Sequence, residues 1–134
     1  MNVYLAARYS RFPEMQGCRT ILEEMGHTVT SRWINGDHDY KGDQSPSEQR
    51  VRFAQEDWDD LMAADCVISF TEEPGKAGGR NRGGRHVEFG AALALGKRVI
   101  VVGFRENVFH EMPVVEFFPT WPALVLALAV EAGL

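Results

Sequence analysis

Glu88 is the residue whose type and surroundings most clearly call for a chemical explanation. It lies in "GGRHVEFGAALALGK", residues 83–97, within the first turns of a predicted helix, and small or apolar residues follow it. Ala91, Ala92 and Leu95 stand three, four and seven positions later, so no cation one turn on can pair with Glu88. Free N–H groups and the helix dipole favour negative charge at a helix start. The pattern predicts an ionised nucleophile or cation stabiliser, with a glutamate satisfied by backbone amides as the alternative.

Asp57 is the second carboxylate in apolar surroundings. On a helix over residues 51–64 it falls within the apolar arc, whereas Glu56, Asp59 and Asp60 fall outside it and are predicted to be solvated. The arc contains Val51, Phe53, Ala54, Trp58, Leu61, Met62 and Ala64. Because a buried carboxylate is costly unless it is paired, Asp57 is either a functional acid or an acid bonded to a neighbouring loop at the edge of the core.

Two carboxylates in different environments favour acid–base or glycosyl chemistry, although their spacing alone does not select between these reactions. Metal binding is less well supported. His86 and Glu88 are only two residues apart, and His27, His38 and His110 are scattered along the chain. We therefore expect no metal and no cofactor.

Two clusters of arginine indicate a site for a small anion. Arg80, Arg82 and Arg85 lie in one glycine-rich loop, and Arg8 and Arg11 follow the first predicted strand. The alternative for each cluster is a set of solvated surface residues. A net charge of −5 argues against a general surface for polymeric nucleic acid but is compatible with a small anionic ligand.

The chain alternates predicted strands with predicted helices. Strands are expected at 2–7, 27–33, 65–70, 97–103 and 114–118. The first helix is expected at 13–25. The second is expected to run for about 18 residues from Pro46, with Ser45 as its N-cap and Glu48 as the capping-box partner. A third helix is expected after residue 83, and a fourth from Thr120, Trp121 and Pro122. This order predicts a single α/β domain over 1–134, a three-layer α/β/α sandwich with roughly five parallel strands in a Rossmann-like or flavodoxin-like order.

Ligands of such sheets bind beyond the carboxyl ends of the strands, which nominates residues 4–11, 71–88 and 104–113. No apolar run approaches the roughly 20 residues of a membrane span. The N-terminal segment also lacks a secretory pattern, so a soluble cytoplasmic protein without membrane partners is expected. Cys18 and Cys66 are expected to be buried thiols.

Four motifs occur in order over most of the chain: "YLAARYS", "DWDDLMAADCVISF", "GGRHVEFGAALALGKRVIVV" and "ENVFHEMP". Together they resemble the nucleoside 2-deoxyribosyltransferase family, which includes 2'-deoxynucleoside 5'-monophosphate N-hydrolases and cytidylate N-glycosidases. The most specific part is the Gly-x-x-x-Glu-x-Gly pattern that leads into a small-residue helix and a buried strand.

The resemblance implies a role for several residues. Glu88 matches the family's glutamate that attacks the anomeric carbon, Asp57 the acid that assists protonation of the base, and Tyr4 the tyrosine close to the nucleophile. Asn107 and Phe109 resemble an Asn-x-Met element that reaches the sugar site of a neighbouring subunit, with phenylalanine in place of methionine. The expected substrate-binding residues are Arg8, Ser10, Gly83, Gly84, Arg85, Asn107 and Phe109.

The resemblance implies cleavage of the N-glycosidic bond of a 2'-deoxynucleoside or its 5'-monophosphate, with transfer of the sugar to another base, in a homodimer or higher homo-oligomer. Hydrolysis by water, a different small-molecule hydrolase and a non-catalytic nucleotide-binding module are the alternatives. The loop before Glu88 is longer and more basic than the compact loop of the transferases, so Arg80, Arg82 and Arg85 leave open whether the substrate carries a phosphate.

Overall fold

The computed structural model describes residues 1–38, 46–75 and 83–134. These form a five-stranded parallel sheet with four α-helices, as the sequence predicted. In chain order the elements are β1 (Asn2–Ala6), α1 (Phe12–Glu24), β2 (Thr28–Val29), α2 (Ser47–Met62), β3 (Cys66–Phe70), α3 (Gly84–Ala94), β4 (Arg98–Val102), β5 (Glu116–Phe118) and α4 (Trp121–Glu131). In the parts of the chain described, no helix combines the length and apolar character needed to cross a membrane.

The strand order is β2-β1-β3-β4-β5, the flavodoxin-like order. The connection through α1 runs toward one edge of the sheet, and those through α2 and α3 run toward the other. Because parallel crossovers are right-handed, α1 covers one face and α2 and α3 cover the opposite face. The sequence-based prediction of an α/β/α sandwich is therefore confirmed.

The central strands explain why the sheet is stable between two helical layers. Residues 3–6 of β1, all of β3 and residues 99–102 of β4 are buried. Strands covered on both faces require continuous apolar runs rather than alternation, and "CVISF" and "RVIVV" have that character. The predicted buried thiols are also confirmed, since Cys18 and Cys66 are both buried and free.

The second strand is much shorter than predicted. Residues 27–33 alternate like a strand, yet only Thr28–Val29 pair with β1, and Arg32–Asn35 form a 3-10 turn. Side chains take over the hydrogen bonds of the missing ladder at Leu5. Its N–H donates to Ser31 Oγ at 3.1 Å, and its carbonyl accepts from Trp33 Nε1 at 2.7 Å. The edge strand ends early because these two side chains satisfy the neighbouring backbone instead.

The helix starts differ from the predictions by about one residue. Pro46 was expected at the first helical position, but α2 begins at Ser47 and Pro46 is its N-cap, with an extended ψ of 143°. Ser45, the predicted N-cap, lies outside the described residues. At α4 the prediction is confirmed, because the Thr120 side chain accepts a hydrogen bond from the N–H of Ala123 and the helix begins at Trp121.

Candidate active site

A cleft of about 830 Å³ opens beyond the carboxyl end of β1, between α2 and the start of α3. This is where ligands of parallel α/β sheets bind. Its apolar wall consists of Trp33, Phe53, Ala54, Trp58 and Leu61. Predicted site residues that line it are Arg8, Ser10, Asp57, Gly83, Gly84, Arg85 and Glu88. Two of the three nominated segments thus converge, and residues 104–113 do not line this cleft.

Tyr4 contacts Glu88, which lines the cleft, but Tyr4 does not itself line it. Tyr4 is fully buried in β1, and its hydroxyl donates a hydrogen bond to Glu88 Oε2. Gly83 is the N-cap of α3 with a φ of 74°, a left-handed conformation that glycine adopts at little cost. This turn starts α3 so that Glu88 is the fifth residue of the helix, opposite the end of β1. The predicted proximity of Tyr4 and Glu88 is confirmed.

The prediction that the helix start keeps Glu88 ionised is wrong for the unliganded protein. Burial raises the pKa of Glu88 to about 8, and the negative charge of Asp57 raises it further, against the lowering effect of the Tyr4 hydrogen bond. Glu88 is the fifth residue of α3, beyond the four N–H groups that a helix start leaves free. The loss of hydration on burial therefore affects the pKa of Glu88 more than the helix terminus does.

Asp57 lies on the α2 wall of the cleft beside His38. Burial raises the pKa of Asp57 to about 6, His38 lowers it, and the charges of Asp60 and Glu56 raise it. His38 Nδ1 lies 3.2 Å from Asp57 Oδ1, and His38 Nε2 lies 2.5 Å from Glu56 Oε2. The prediction that Asp57 differs from its neighbouring acids is supported, because it lines the cleft and has a raised pKa.

Two acids predicted to be solvated are not. Asp60 is 7% exposed, and its carboxylate accepts hydrogen bonds from the N–H of Arg32 at 2.9 Å and from Arg32 Nε at 3.0 Å. Glu56 is partly buried against His38. The helical wheel placed both outside the apolar arc because it cannot include the turn of residues 32–38, which packs against this side of α2. Asp59 is exposed, as predicted.

The wheel also misplaced part of the apolar face of α2. Phe53 and Leu61 are buried, but Val51 is 65% exposed, Trp58 47% and Met62 38%. Trp58 lines the cleft together with Trp33, although no sequence pattern assigned either tryptophan to the site. One side of the predicted core face therefore borders the cleft rather than the sheet.

Arg8 and Arg85, the two predicted arginines that line the cleft, have acidic partners. Arg8 lies 3.6 Å from Glu72, and Arg85 Nη1 lies 2.6 Å from Glu106 Oε2, with the Arg85 side chain only 2% exposed. Arg11 also contacts Glu72, at 3.3 Å, and does not line the cleft. Arg80 and Arg82, the other predicted phosphate ligands, lie outside the described residues.

Glu106 joins three segments around the cleft and was not identified from the sequence. Besides Arg85, its carboxylate accepts from the N–H of Glu72 at 2.5 Å and lies 3.0 Å from His86 Nε2. Its own N–H donates to His110 Nδ1 at 3.0 Å. These contacts lower the pKa of Glu106 despite the opposing effect of burial. No local pattern marks this residue, because every partner of its carboxylate is distant in sequence.

Asn107 and Phe109 do not reach the cleft of their own chain. They line a second cavity of about 660 Å³ on α3, with His86, Phe89, Gly90, Leu93, Ala94 and Met112. The Asn107 side chain caps the short turn that follows by accepting from the N–H of Phe109 at 2.9 Å, and Phe109 is 59% exposed. Their predicted contact with a neighbouring subunit is not tested by a single chain.

Comparison with known proteins gives matches at the level of structure only. No family model and no curated protein matches the sequence. A 2-deoxyribosyltransferase from Bacillus psychrosaccharolyticus, described as a biocatalyst for nucleoside synthesis, aligns with a TM-score of 0.72 and 20% identity over 93% of this chain and 90% of its own. The Clostridium botulinum CMP N-glycosidase BcmB aligns with a TM-score of 0.61 and 21% identity over 97% of this chain and 99% of its own.

Both structures represent the family that the four sequence motifs indicated. Each alignment spans nearly the whole of both chains, so the likeness concerns the entire sandwich rather than one motif of it. The chain thus has the fold of the nucleoside 2-deoxyribosyltransferases and the related N-glycosidases, as the resemblance of its sequence implied.

Proposed function

We propose that this protein is an enzyme that cleaves the N-glycosidic bond of a nucleoside or nucleotide through a covalent glycosyl ester of Glu88. The observation that carries the proposal is the pairing of Glu88 with Tyr4 in a cleft that also presents Asp57, a second carboxyl group with a different proton affinity. The fold shared with a 2-deoxyribosyltransferase and a CMP N-glycosidase supports the same reaction class.

In the first step, Glu88 Oε1 attacks the anomeric carbon while Oε2 accepts the hydroxyl hydrogen bond of Tyr4. The carbon–nitrogen bond breaks, and its electron pair goes to the departing base. Asp57 gives its proton to a nitrogen of that base, so the base leaves neutral. The products of this step are the free base, the glycosyl ester and the carboxylate of Asp57.

In the second step an acceptor attacks the anomeric carbon and the ester bond electrons return to Glu88. If the acceptor is another base, its N–H proton goes to Asp57 and the deoxyribosyl group has been transferred. If water attacks, the same proton movement completes a hydrolysis. We propose transfer as the principal reaction. Hydrolysis is the alternative, favoured by the likeness to a CMP N-glycosidase over nearly all of both chains.

The apolar wall suits the base of the substrate. Trp58 and Phe53 line the cleft on the same helix as Asp57, so a base packed against them lies next to the proton that it must receive. The arginines that line the cleft determine whether a substrate with a phosphate group can bind. Arg85 is paired with Glu106 at 2.6 Å and Arg8 lies 3.6 Å from Glu72, and both arginines line the cleft where a phosphate would bind.

We further propose that the active form is a homodimer or higher homo-oligomer. Asn107 and Phe109 lie outside the cleft of their own chain, and the exposed Phe109 is compatible with a contact to a second copy. A small nucleoside or nucleotide is the proposed partner, and the net charge of −5 argues against polymeric nucleic acid.

The test is to incubate the protein with deoxynucleosides, their 5'-monophosphates and CMP, each with and without a second free base, and to identify the products by chromatography. A new nucleoside indicates transfer, and release of base alone indicates hydrolysis. Saturable binding without any product would support the alternative of a non-catalytic nucleotide-binding module. Glu88→Ala is the control: it should remove all turnover while the far-ultraviolet circular dichroism spectrum is retained.

A further inference from the structure

His38 occupies an unusual position in the wall of the cleft. It follows the 3-10 turn of residues 32–35, is only 4% exposed, and stacks on Phe53 with ring centroids 4.5 Å apart and an interplanar angle of 24°. Both ring nitrogens face carboxyl groups of α2. Nε2 lies 2.5 Å from Glu56 Oε2, and Nδ1 lies 3.2 Å from Asp57 Oδ1. One imidazole ring therefore links the proposed general acid to the next acid on the same helix.

The two atoms that face each other depend on this contact. Neither His38 Nδ1 nor Asp57 Oδ1 has a well-directed hydrogen-bond partner elsewhere in the described parts of the chain, and both atoms are buried. Buried polar atoms are costly unless they are paired. Their mutual approach at 3.2 Å is the interaction available to both, and a small rotation of either side chain turns it into a directed hydrogen bond.

The contact with Glu56 determines where the hydrogens of the His38 ring lie. An ionised Glu56 only accepts hydrogen bonds, so the short contact to it fixes a hydrogen on Nε2. With a hydrogen on Nδ1 as well, the ring donates to Glu56 through Nε2 and to Asp57 Oδ1 through Nδ1. A hydrogen bond donated to the Asp57 carboxylate favours its ionised form, in agreement with the lowering effect of His38 on the pKa of Asp57.

We propose that His38 is a positioning residue for the general acid: its Nδ1–H donates to Asp57 Oδ1 and holds the carboxyl group at the cleft wall, while Glu56 accepts from Nε2. The inference rests on the proposed function only in calling Asp57 the general acid. With Oδ1 held by His38, Oδ2 is the oxygen that carries the proton of Asp57 and faces the departing base. When the Oδ2 proton passes to the base nitrogen, the new Asp57 carboxylate keeps the hydrogen bond from His38 Nδ1–H to Oδ1.

The surrounding charges agree with this role. In the described structure, the charged or titratable groups around the His38–Asp57 pair include Glu56, Arg52, Asp60 and Arg32 on the α2 side, together with Glu88 and its partner Tyr4. Arg8, Arg50 and Arg85 line the same cleft. Arg52 lies 3.9 Å from Glu56. Among the groups that influence the pKa of Asp57, His38 lowers it, whereas Asp60 and Glu56 raise it.

The experiment titrates the Asp57 carboxyl group directly, by carbon-13 NMR of protein labelled at aspartate, with Asp57→Asn to assign the signal. His38→Phe keeps the ring stacked on Phe53 and removes both nitrogens, so the pKa of Asp57 should rise. His38→Gln, which removes the imidazole and keeps a polar side chain, serves as a second variant if His38→Phe does not fold, and it should raise the pKa of Asp57 in the same way. His27→Phe, which removes a partly buried histidine that contacts the N-terminal amine, is the matched control and should leave the signal unchanged.

The pH profile of kcat/KM supplies the second measurement. Since Asp57 controls one limb of that profile, that limb should move in His38→Phe in the same direction as the NMR titration. In addition, kcat should fall about tenfold, which is a fraction of the rate loss expected when a general acid is removed altogether. An Asp57 titration in both variants that superimposes on the wild type overturns the proposal. A shifted titration in a protein that releases no base from any substrate refutes the proposed function and leaves the contact of His38 with Asp57 standing.

Discussion

Replacing Asp57 by Asn should move the rising limb of the pH profile upward rather than remove it. The reaction needs Glu88 ionised and Asp57 protonated, but the pKa of Glu88 is about 8 and that of Asp57 about 6. The ionised fraction of Glu88 therefore grows as the pH rises to about 8. The protonated fraction of Asp57 falls as the pH rises above about 6. Multiplying the two fractions gives a bell that rises to about pH 6, is flat to about pH 8 and then falls.

The magnitude follows from the separation of the two pKa values. With the nucleophile at about 8 and the acid at about 6, the form with Glu88 ionised and Asp57 protonated is roughly 1% of the free protein on the plateau. Asn at position 57 has no proton requirement, so only the ionisation of Glu88 remains. The rising limb should move from about 6 toward 8, stopping somewhat short of it because Asp57 no longer repels Glu88.

The assay is base release at substrate concentrations well below KM, from pH 5 to 9, for the wild type, Asp57→Asn and Asp59→Asn. The last is the matched control, because Asp59 is exposed on the same helix. Loss of the general acid should also lower the rate by roughly 10²- to 10⁴-fold. If the rising limb of Asp57→Asn stays at about 6 while the falling limb disappears, then Glu88 holds the lower pKa and the reasoning is refuted.

Three further substitutions test the site. Tyr4→Phe removes the hydrogen bond that lowers the pKa of Glu88, so the falling limb of kcat/KM against pH should move to higher pH. Glu106→Gln leaves the charge of Arg85 buried without its partner, so urea denaturation should show a loss of roughly 3 kcal/mol in the free energy of unfolding. Trp58→Ala removes an aromatic ring from the cleft wall, so KM should rise about tenfold with little change in kcat.

Two of these substitutions have a matched control in the same chain. An unchanged falling limb in Tyr4→Phe would contradict the role of the hydroxyl. For Glu106→Gln the comparison is Glu116→Gln, whose partner Arg98 is more exposed, so its loss should stay below about 1 kcal/mol; equal losses would count against a buried pair. For Trp58→Ala the comparison is Trp121→Ala, which removes a ring that packs on Phe70 rather than lining the cleft.

The fold could be predicted from the sequence because its signals are local. The continuous apolar runs of β3 and β4 indicated buried parallel strands, and Thr120 marked the start of α4 before its structure was known. The second strand was overestimated because the alternation of residues 27–33 contains Ser31 and Trp33, whose side chains bond to Leu5 instead of extending the ladder.

The candidate site could be predicted only in part. Glu88 and Asp57 stood out because each is a carboxylate in an apolar pattern, and both line the cleft. A sequence shows that Glu88 lies near a helix start, but it does not show that the folded chain buries its carboxyl group and removes its hydration. The ionisation of Glu88 was therefore predicted wrongly. His38 and Glu106 were missed because their partners come from distant segments.

The central claim is that Glu88 carries the sugar during the reaction. The most direct measurement is to mix the protein with substrate in the absence of an acceptor base, quench in acid within milliseconds to seconds, and analyse the peptides by mass spectrometry. The peptide containing Glu88 should gain the mass of the substrate's glycosyl group, the fragment ions should place that mass on Glu88, and added acceptor base should shorten the lifetime of the adduct. Base release at full rate with no adduct on that residue at any quench time would show that Glu88 does not carry the sugar.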